Sequence, residues 1–189
     1  MPIITVATWF TLARIALTPF FAFALATHHA EAALILFFIA GITDTIDGLI
    51  ARQFKQKTEF GALLDALADK LLLTIAYILL AFSPGDMPNP IPVWLAVLVI
   101  LRDLLILTGG WWLHHSRQLG VTHLPPTRWG KWSTAFQMIT VAISLVGNAL
   151  RFTVPFFSLI TYSTLVLTLI SGLDYLYRAL SLIEEKVSG

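Results

Sequence analysis

The chain has 189 residues, of which 57% are hydrophobic and 12% charged, whereas a soluble domain carries about 25% charged residues. That composition excludes an ordinary soluble globular protein and predicts one polytopic membrane domain over residues 1–189. The net charge of +1 without a dense basic patch excludes a nucleic-acid binder, and the absence of cysteine excludes disulfides and thiolate metal sites.

Crossing a bilayer as a helix takes roughly 20 mostly apolar residues. The first stretch that qualifies, 9–27, carries Arg14 near its start and Pro19 inside, where a bend is expected. Its N-terminal flank lacks the basic region and cleavage site of a secretion signal. The second, 32–50, is apolar until Asp44 and Asp47. A short loop with Arg52, Lys55 and Lys57 leads to the third, 61–82, which opens on Gly61, Asp65 and Asp69. SPGDMPNP (83–90) is the clearest breaker in the chain.

The fourth stretch, 91–113, holds Arg102-Asp103 in its interior and the small pair Gly109-Gly110 near its end. The longest polar loop, 114–129, contains His114, His115 and His123, which read as solvated. The fifth stretch, 130–149, opens on Gly130, Lys131, Thr134 and Gln137. The sixth, 153–178, begins near Pro155 and ends on Asp174 and Arg178, spaced for an ion pair. Trp94, Trp111, Trp112, Trp129 and Trp132 fall near span ends, the interfacial belt pattern.

Six spans divide the flanks into two sets. Arg14, Arg52, Lys55, Lys57, Arg117, Arg128, Lys131, Arg178 and Lys186 fall on one side, and only Arg151 on the other. The positive-inside bias therefore places both termini, the 51–60 loop and its neighbouring aspartates in the cytoplasm.

Those aspartates are the sharpest chemical feature. Residues three and four apart share a helix face, so Asp44, Asp47, Gly48 and Ala51 line one side of the second span's end. Gly61, Asp65 and Asp69 line one side of the third span's start. The short connection predicts antiparallel neighbours, with four carboxylates converging near the cytoplasmic end. An intramembrane acid costs roughly 2.5–3.5 kcal/mol at a helix centre and is a functional candidate for that reason. Oxygen-only ligation suits a hard cation such as Mg²⁺ or Mn²⁺. Four carboxylates suffice for two such ions, about 3.5–4 Å apart in two-metal sites. The structural alternative is simple pairing with Arg52, Lys70 and Arg102.

The spacing D-x2-D-G-x2-A-R-x8-G-x3-D-x3-D is filled at every fixed position by Asp44, Asp47, Gly48, Ala51, Arg52, Gly61, Asp65 and Asp69. It resembles the CDP-alcohol phosphotransferase family of membrane phospholipid synthases. The resemblance implies an all-helical six-span fold, usually homodimeric, in which an acceptor hydroxyl attacks the β-phosphorus of CDP-diacylglycerol and CMP leaves. It implies metal ligation by the four aspartates, with Asp69 also as general base. Gly48, Ala51, Arg52 and Gly61 fall at CDP-lipid positions. The setting it implies is a bacterial inner membrane, whose lipids hold the diacyl tails. Lys55 and Lys57, which stand outside the motif, are expected to meet the anionic leaflet, at about 1 kcal/mol each.

Three further segments bear on the acceptor. Thr8-x2-Thr11-x2-Arg14 resembles the N-x-x-T-x-x-R opening of glycerophosphate-type members, with Thr8 where that opening has Asn. Arg102-Asp103 is similar to an Arg-acid pair of the same family, and Gly130-Lys131-x2-Thr134-x2-Gln137 to another of its stretches. Arg102, Lys131 and Thr134 are the candidates for binding an anionic acceptor, by guanidinium fork, point charge and hydroxyl respectively. The alternatives are pairing of Arg102 with Asp103 or the aspartates, and an anchoring role for Lys131. Glycerol 3-phosphate fits two cations best, and phosphatidylglycerol, giving cardiolipin, is the alternative. A polyprenyl transferase fits less well, because Thr43 precedes Asp44 and no acid stands at Ile50 or Ala51. So does a divalent-cation carrier, because the polar path stops where AALILFFIAGIT and LLLTIAYILLAF begin.

Overall fold

A computed structural model describes the backbone of residues 6–53, 59–82, 87–115 and 127–187. It describes the side chains of these except 6–10, 44–53, 59–63, 65, 66, 110–115 and 182–187. The described residues form six helices and no strand: α1 (Val6–Ala26), α2 (Ala30–Gln53), α3 (Glu59–Ala81), α4 (Val93–His115), α5 (Arg128–Ala149) and α6 (Phe157–Val187). Each predicted stretch overlaps one helix, with ends that differ by up to nine residues. Among the described residues, one segment, Phe157–Ser181, is long and apolar enough by itself to cross a membrane, and Thr11–Ala26 and Ala30–Thr43 are shorter apolar helices.

The chain divides into two compact units. The first comprises Met1–Ile91 with Val141–Pro155, and the second Pro92–Thr140 with Phe156–Gly189.

In the first unit α1 packs against both α2 and α3. Its core is built at helical spacing from Phe21, Ala24 and Leu25 on α1, Ala33, Phe37 and Ala40 on α2, and Ala68, Leu72, Ala76 and Leu80 on α3. The alanines let the backbones approach, and the Phe21 and Phe37 rings meet at 6.1 Å and 42°. α1 closes in a Schellman turn: His28 takes a left-handed φ of 60°, and His29 N–H reaches the Ala24 carbonyl at 2.8 Å. Arg151, at φ 55°, ends α5 in the same way, with Phe152 N–H on the Gly147 carbonyl at 3.0 Å.

Asn89 ties the segment before α4 to the end of α5. Its N–H donates to Asn148 Oδ1 (2.8 Å), its Nδ2 to the Phe152 carbonyl (2.7 Å), and its carbonyl and Oδ1 accept from Ser144 Oγ (2.6 Å) and Val154 N–H (2.8 Å). Gly147 permits this contact, because a Cβ there would lie 2.7 Å from Val154 Cγ2 and overlap the Asn89 amide.

In the second unit α4 packs on α6, and α6 meets the first part of α5 along a polar seam. Thr161, Thr164, Thr168, Ser171 and Tyr175 recur three and four apart on α6, and all are buried. Thr140 and Thr164 hydroxyls meet at 2.7 Å, Ser133 and Thr168 at 3.3 Å, and Gln137 Nε2 donates to Ser133 at 3.2 Å. Hydrogen bonds of this kind hold helices together where lipid removes the hydrophobic driving force. Tyr175 donates to the Ile106 carbonyl at 3.2 Å, and its ring occupies the space left by Gly109.

Candidate functional site

Helical phase places Asp44, Asp47, Gly48, Ala51 and Arg52 on the last turns of α2, and Gly61, Asp65 and Asp69 on the first turns of α3. The side chains of Asp44, Asp47, Gly48, Ala51, Arg52, Gly61 and Asp65 lie outside the described residues, as do residues 54–58 with Lys55 and Lys57. Asp69 is described. Its Oδ1 accepts from Arg14 Nη1 of α1 at 2.5 Å. The Arg14 side chain is fully buried, whereas that of Asp69 is 41% exposed.

This arrangement follows from packing. α1 lies against α3, Thr11, Arg14 and Thr18 share one buried face of α1, and Ala68 beside Asp69 is fully buried. An arginine sealed on such a face needs an anion, and Asp69 supplies it while keeping part of its carboxylate towards solvent. The sequence places Arg14 among the flanking cations and at the end of the Thr8-x2-Thr11-x2-Arg14 opening, without a partner for it. Because α1 starts at Val6, Arg14 is more than two turns inside the helix. The pairing of its T-x-x-R spacing with an intramembrane acid was the signal that could have placed it here.

The expected acceptor residues fall in the second unit. Arg102 of α4 is 8% exposed, and its Nη1 donates to Asp103 Oδ1 at 2.7 Å. Its Nη2 and Nε both donate to Ser171 Oγ of α6, at 2.6 and 3.2 Å. Arg102 therefore makes the pair with Asp103 that was its structural alternative, and adds a serine that sequence reasoning did not single out.

Gly130 lies close to the same guanidinium: a Cβ there would be 3.3 Å from Arg102 Nη2. Thr127 caps α5 by accepting from Gly130 N–H at 3.0 Å. Lys131 is exposed, and the Thr134 hydroxyl donates back to the Gly130 carbonyl at 3.1 Å. That bond occupies the Thr134 proton, so towards an anion Thr134 has no donor unless it turns. At the far end of α6, Arg178 Nε pairs with Asp174 Oδ1 at 3.1 Å, the predicted i, i+4 contact.

Among the described residues no group of three metal-ligating side chains is assembled; Asp69 is the one described member of the aspartate set. The donor set as a whole is oxygen only, and the exposed Asp69 carboxylate fits a hard divalent ion better than a thiophilic one.

The family model for CDP-alcohol phosphatidyltransferase matches residues 4–170. The chain is 32% identical over 173 residues to the CDP-diacylglycerol--glycerol-3-phosphate 3-phosphatidyltransferase of Haemophilus influenzae, covering 89% of this chain and 90% of that protein. Its similarity to the protein of the same name from Shigella flexneri is 33% over 187 residues, covering 92% and 94%. It is also 32% identical over 162 residues to the cardiolipin synthase (CMP-forming) of Rattus norvegicus, covering 78% of this chain and 52% of that protein.

Proposed function

Since the chain belongs to the CDP-alcohol phosphatidyltransferase family, we propose that it moves the phosphatidyl group of CDP-diacylglycerol onto glycerol 3-phosphate, forming phosphatidylglycerophosphate and releasing CMP. The near end-to-end correspondence with glycerol-3-phosphate phosphatidyltransferases carries this reading, at 90% and 94% of their lengths.

Asp44, Asp47, Asp65 and Asp69 would hold two Mg²⁺ or Mn²⁺ ions. When bound, such ions neutralise the pyrophosphate and the charge that develops on the leaving CMP. Asp69 accepts the proton of the acceptor hydroxyl as its oxygen bonds to the β-phosphorus. The bond from that phosphorus to the bridging oxygen breaks, and CMP carries away the electron pair. Arg14 keeps the Asp69 carboxylate in one orientation while leaving it partly solvated. Gly48, Ala51, Arg52 and Gly61 receive the CDP-lipid, and Arg102 and Lys131 the acceptor phosphate.

The six helices would all span the membrane, with termini and site in the cytoplasm of a bacterium, and the protein would work as a homodimer among the lipids it makes. Phosphatidylglycerol as acceptor is the second reading. It is favoured by the similarity to cardiolipin synthases and by the Arg102–Asp103 pair, which leaves less uncompensated positive charge for a dianion. The test is CMP release by purified protein given CDP-diacylglycerol, Mg²⁺ and each acceptor in turn. Release with glycerol 3-phosphate supports the first reading. Release with phosphatidylglycerol alone replaces it with the second, and metal flux without CMP would point to a carrier.

A further inference from the structure

We propose that Ser171 is a positioning residue for acceptor recognition, holding the Arg102 guanidinium so that one N–H on each terminal nitrogen points to a phosphate-bearing alcohol. This assignment rests on the acceptor reading above. The Ser171 hydroxyl oxygen takes two donors of the same guanidinium, Nη2–H at 2.6 Å and Nε–H at 3.2 Å. Asp103 Oδ1 takes Nη1–H at 2.7 Å. The charge is already answered by Asp103. What a neutral oxygen bonded to two nitrogens of one planar group adds is orientation.

The surroundings reinforce that orientation. Ser171 is 1% exposed and Arg102 8%, so neither side chain can swing into water without unpacking α4 from α6. Gly172 follows Ser171, and a Cβ there would touch Arg102 Cγ at 3.8 Å, an ordinary contact. Gly130 is tighter: a Cβ would lie 3.3 Å from Nη2 and 3.7 Å from Ser171 Oγ. The missing side chain at 130 keeps that flank of the guanidinium clear at the start of α5, one residue before exposed Lys131. An arginine normally loses rotamer freedom when it grips a ligand; here the protein has removed that freedom in advance. The two donors left over, one on Nη1 and one on Nη2, are of the kind that pairs with two phosphate oxygens.

Two measurements test the assignment: calorimetric titration with glycerol 3-phosphate, and the KM values for both substrates in CMP release. The proteins are wild type, Ser171→Ala, Ser171→Thr and Arg102→Gln. Loss of one hydrogen-bond partner to a charged group is expected to weaken glycerol 3-phosphate binding about tenfold in Ser171→Ala. KM for the acceptor should rise in parallel, with KM for CDP-diacylglycerol within about twofold as the check on folding. Ser171→Thr, which restores the hydroxyl, should recover most of the affinity. Weakening in Arg102→Gln but not in Ser171→Ala would overturn the role of Ser171 while leaving the acceptor site intact. Equal rises in both KM values without recovery in Ser171→Thr would reduce Ser171 to helix packing. Unchanged binding in Arg102→Gln would remove the acceptor reading itself, along with the inference drawn from it.

Discussion

Arg14 on α1 and Asp69 on α3 form an ion pair whose cation is fully buried and whose anion is 41% exposed on its side chain. The asymmetry matters. Arg14 is sealed from water and meets its charge within the protein, whereas the Asp69 carboxylate also reaches solvent. Arg14→Gln should therefore leave a folded protein, since no buried anion is orphaned, but one whose Asp69 carboxylate has lost the charged contact that helps to orient it. CMP release is expected to fall at least about tenfold, the usual cost of losing orientation at a reacting group. Arg14→Lys should restore it only in part, because a flexible ammonium is a point charge without the fixed donor direction of the guanidinium. Wild-type turnover in Arg14→Gln would remove Arg14 from the site.

Asp69 itself carries the sharper prediction. Asp69→Asn keeps the size and most of the packing but can neither accept the hydroxyl proton nor offer a full charge. General bases contribute roughly 10²–10⁴-fold, so turnover should fall by about that factor. Binding of CDP-diacylglycerol, measured by filtration or calorimetry, should remain within a few fold. If turnover were unaltered, Asp69 would not be the base.

The proposed ions can be tested by removal. Dialysis against a chelator should abolish CMP release, and Mg²⁺ or Mn²⁺ should restore it, because both take oxygen ligands with octahedral preference. A direct readout is Mn²⁺ bound per chain, followed by its magnetic resonance. Two sites in wild type and fewer in Asp44→Asn or Asp65→Asn would assign the ligands. Full activity in chelator would overturn metal dependence.

The six helices were legible because each carries a long apolar run, yet some features escaped for definite reasons. The sixth stretch was expected to end at 178, but α6 runs to Val187. Hydropathy reports the apolar length, and the polar continuation of a helix is invisible to it. Its start moved from 153 to Phe157 because the chain passes through Pro155 and a left-handed Phe156 (φ 62°) before the helix begins. The depth of Arg14 escaped because the apolar stretch starts at 9, whereas α1 begins three residues earlier. The α5–α6 seam was missed because serine and threonine are near neutral in hydropathy. Only their recurrence three and four apart on α6 betrays the shared face. The aspartate motif was readable as a pattern from residue spacing alone; the surroundings of Asp69 were not, because Arg14 lies 55 residues away in sequence.

Asn89 predicts a stability effect separate from chemistry. Asn89→Ala removes the partners of the Phe152 carbonyl and Val154 N–H at the end of α5. Both bonds are part-buried, so each group left unpaired costs towards the lower end of the roughly 1–3 kcal/mol of a buried one. Gly147→Ala should have a similar effect, since its methyl would overlap the Asn89 amide. Both variants should unfold earlier in a thermal or denaturant series in detergent. At low temperature, while folded, their KM values should match wild type; a KM change without a stability change would give the Asn89 cluster a different role.

The Thr140–Thr164 pair makes a test of how much the polar seam contributes. Its hydroxyls meet at 2.7 Å and both are buried, Thr164 also lying 3.4 Å from the Phe136 carbonyl. In water-soluble proteins a buried hydroxyl without its partner would be a large penalty. In a membrane the separated helices also find partners for their hydroxyls, and measured interhelical hydrogen bonds average about 0.6 kcal/mol. The threonine hydroxyls can additionally fall back on their own helices, since the Phe136 carbonyl lies 2.8 Å from Thr140 Oγ1 and the Ile160 carbonyl 3.0 Å from Thr164 Oγ1, each able to take the proton of a hydroxyl that loses its cross-helix partner. Thr140→Val and Thr164→Val should therefore each cost about 1 kcal/mol or less. The double variant should be nearly as stable as either single one, because the second valine removes a hydroxyl whose cross-helix partner is already gone. A double-mutant cycle by unfolding in detergent measures this coupling. A coupling of several kcal/mol would make the seam a main determinant of α5–α6 association; one near zero would leave the helix pair to packing alone.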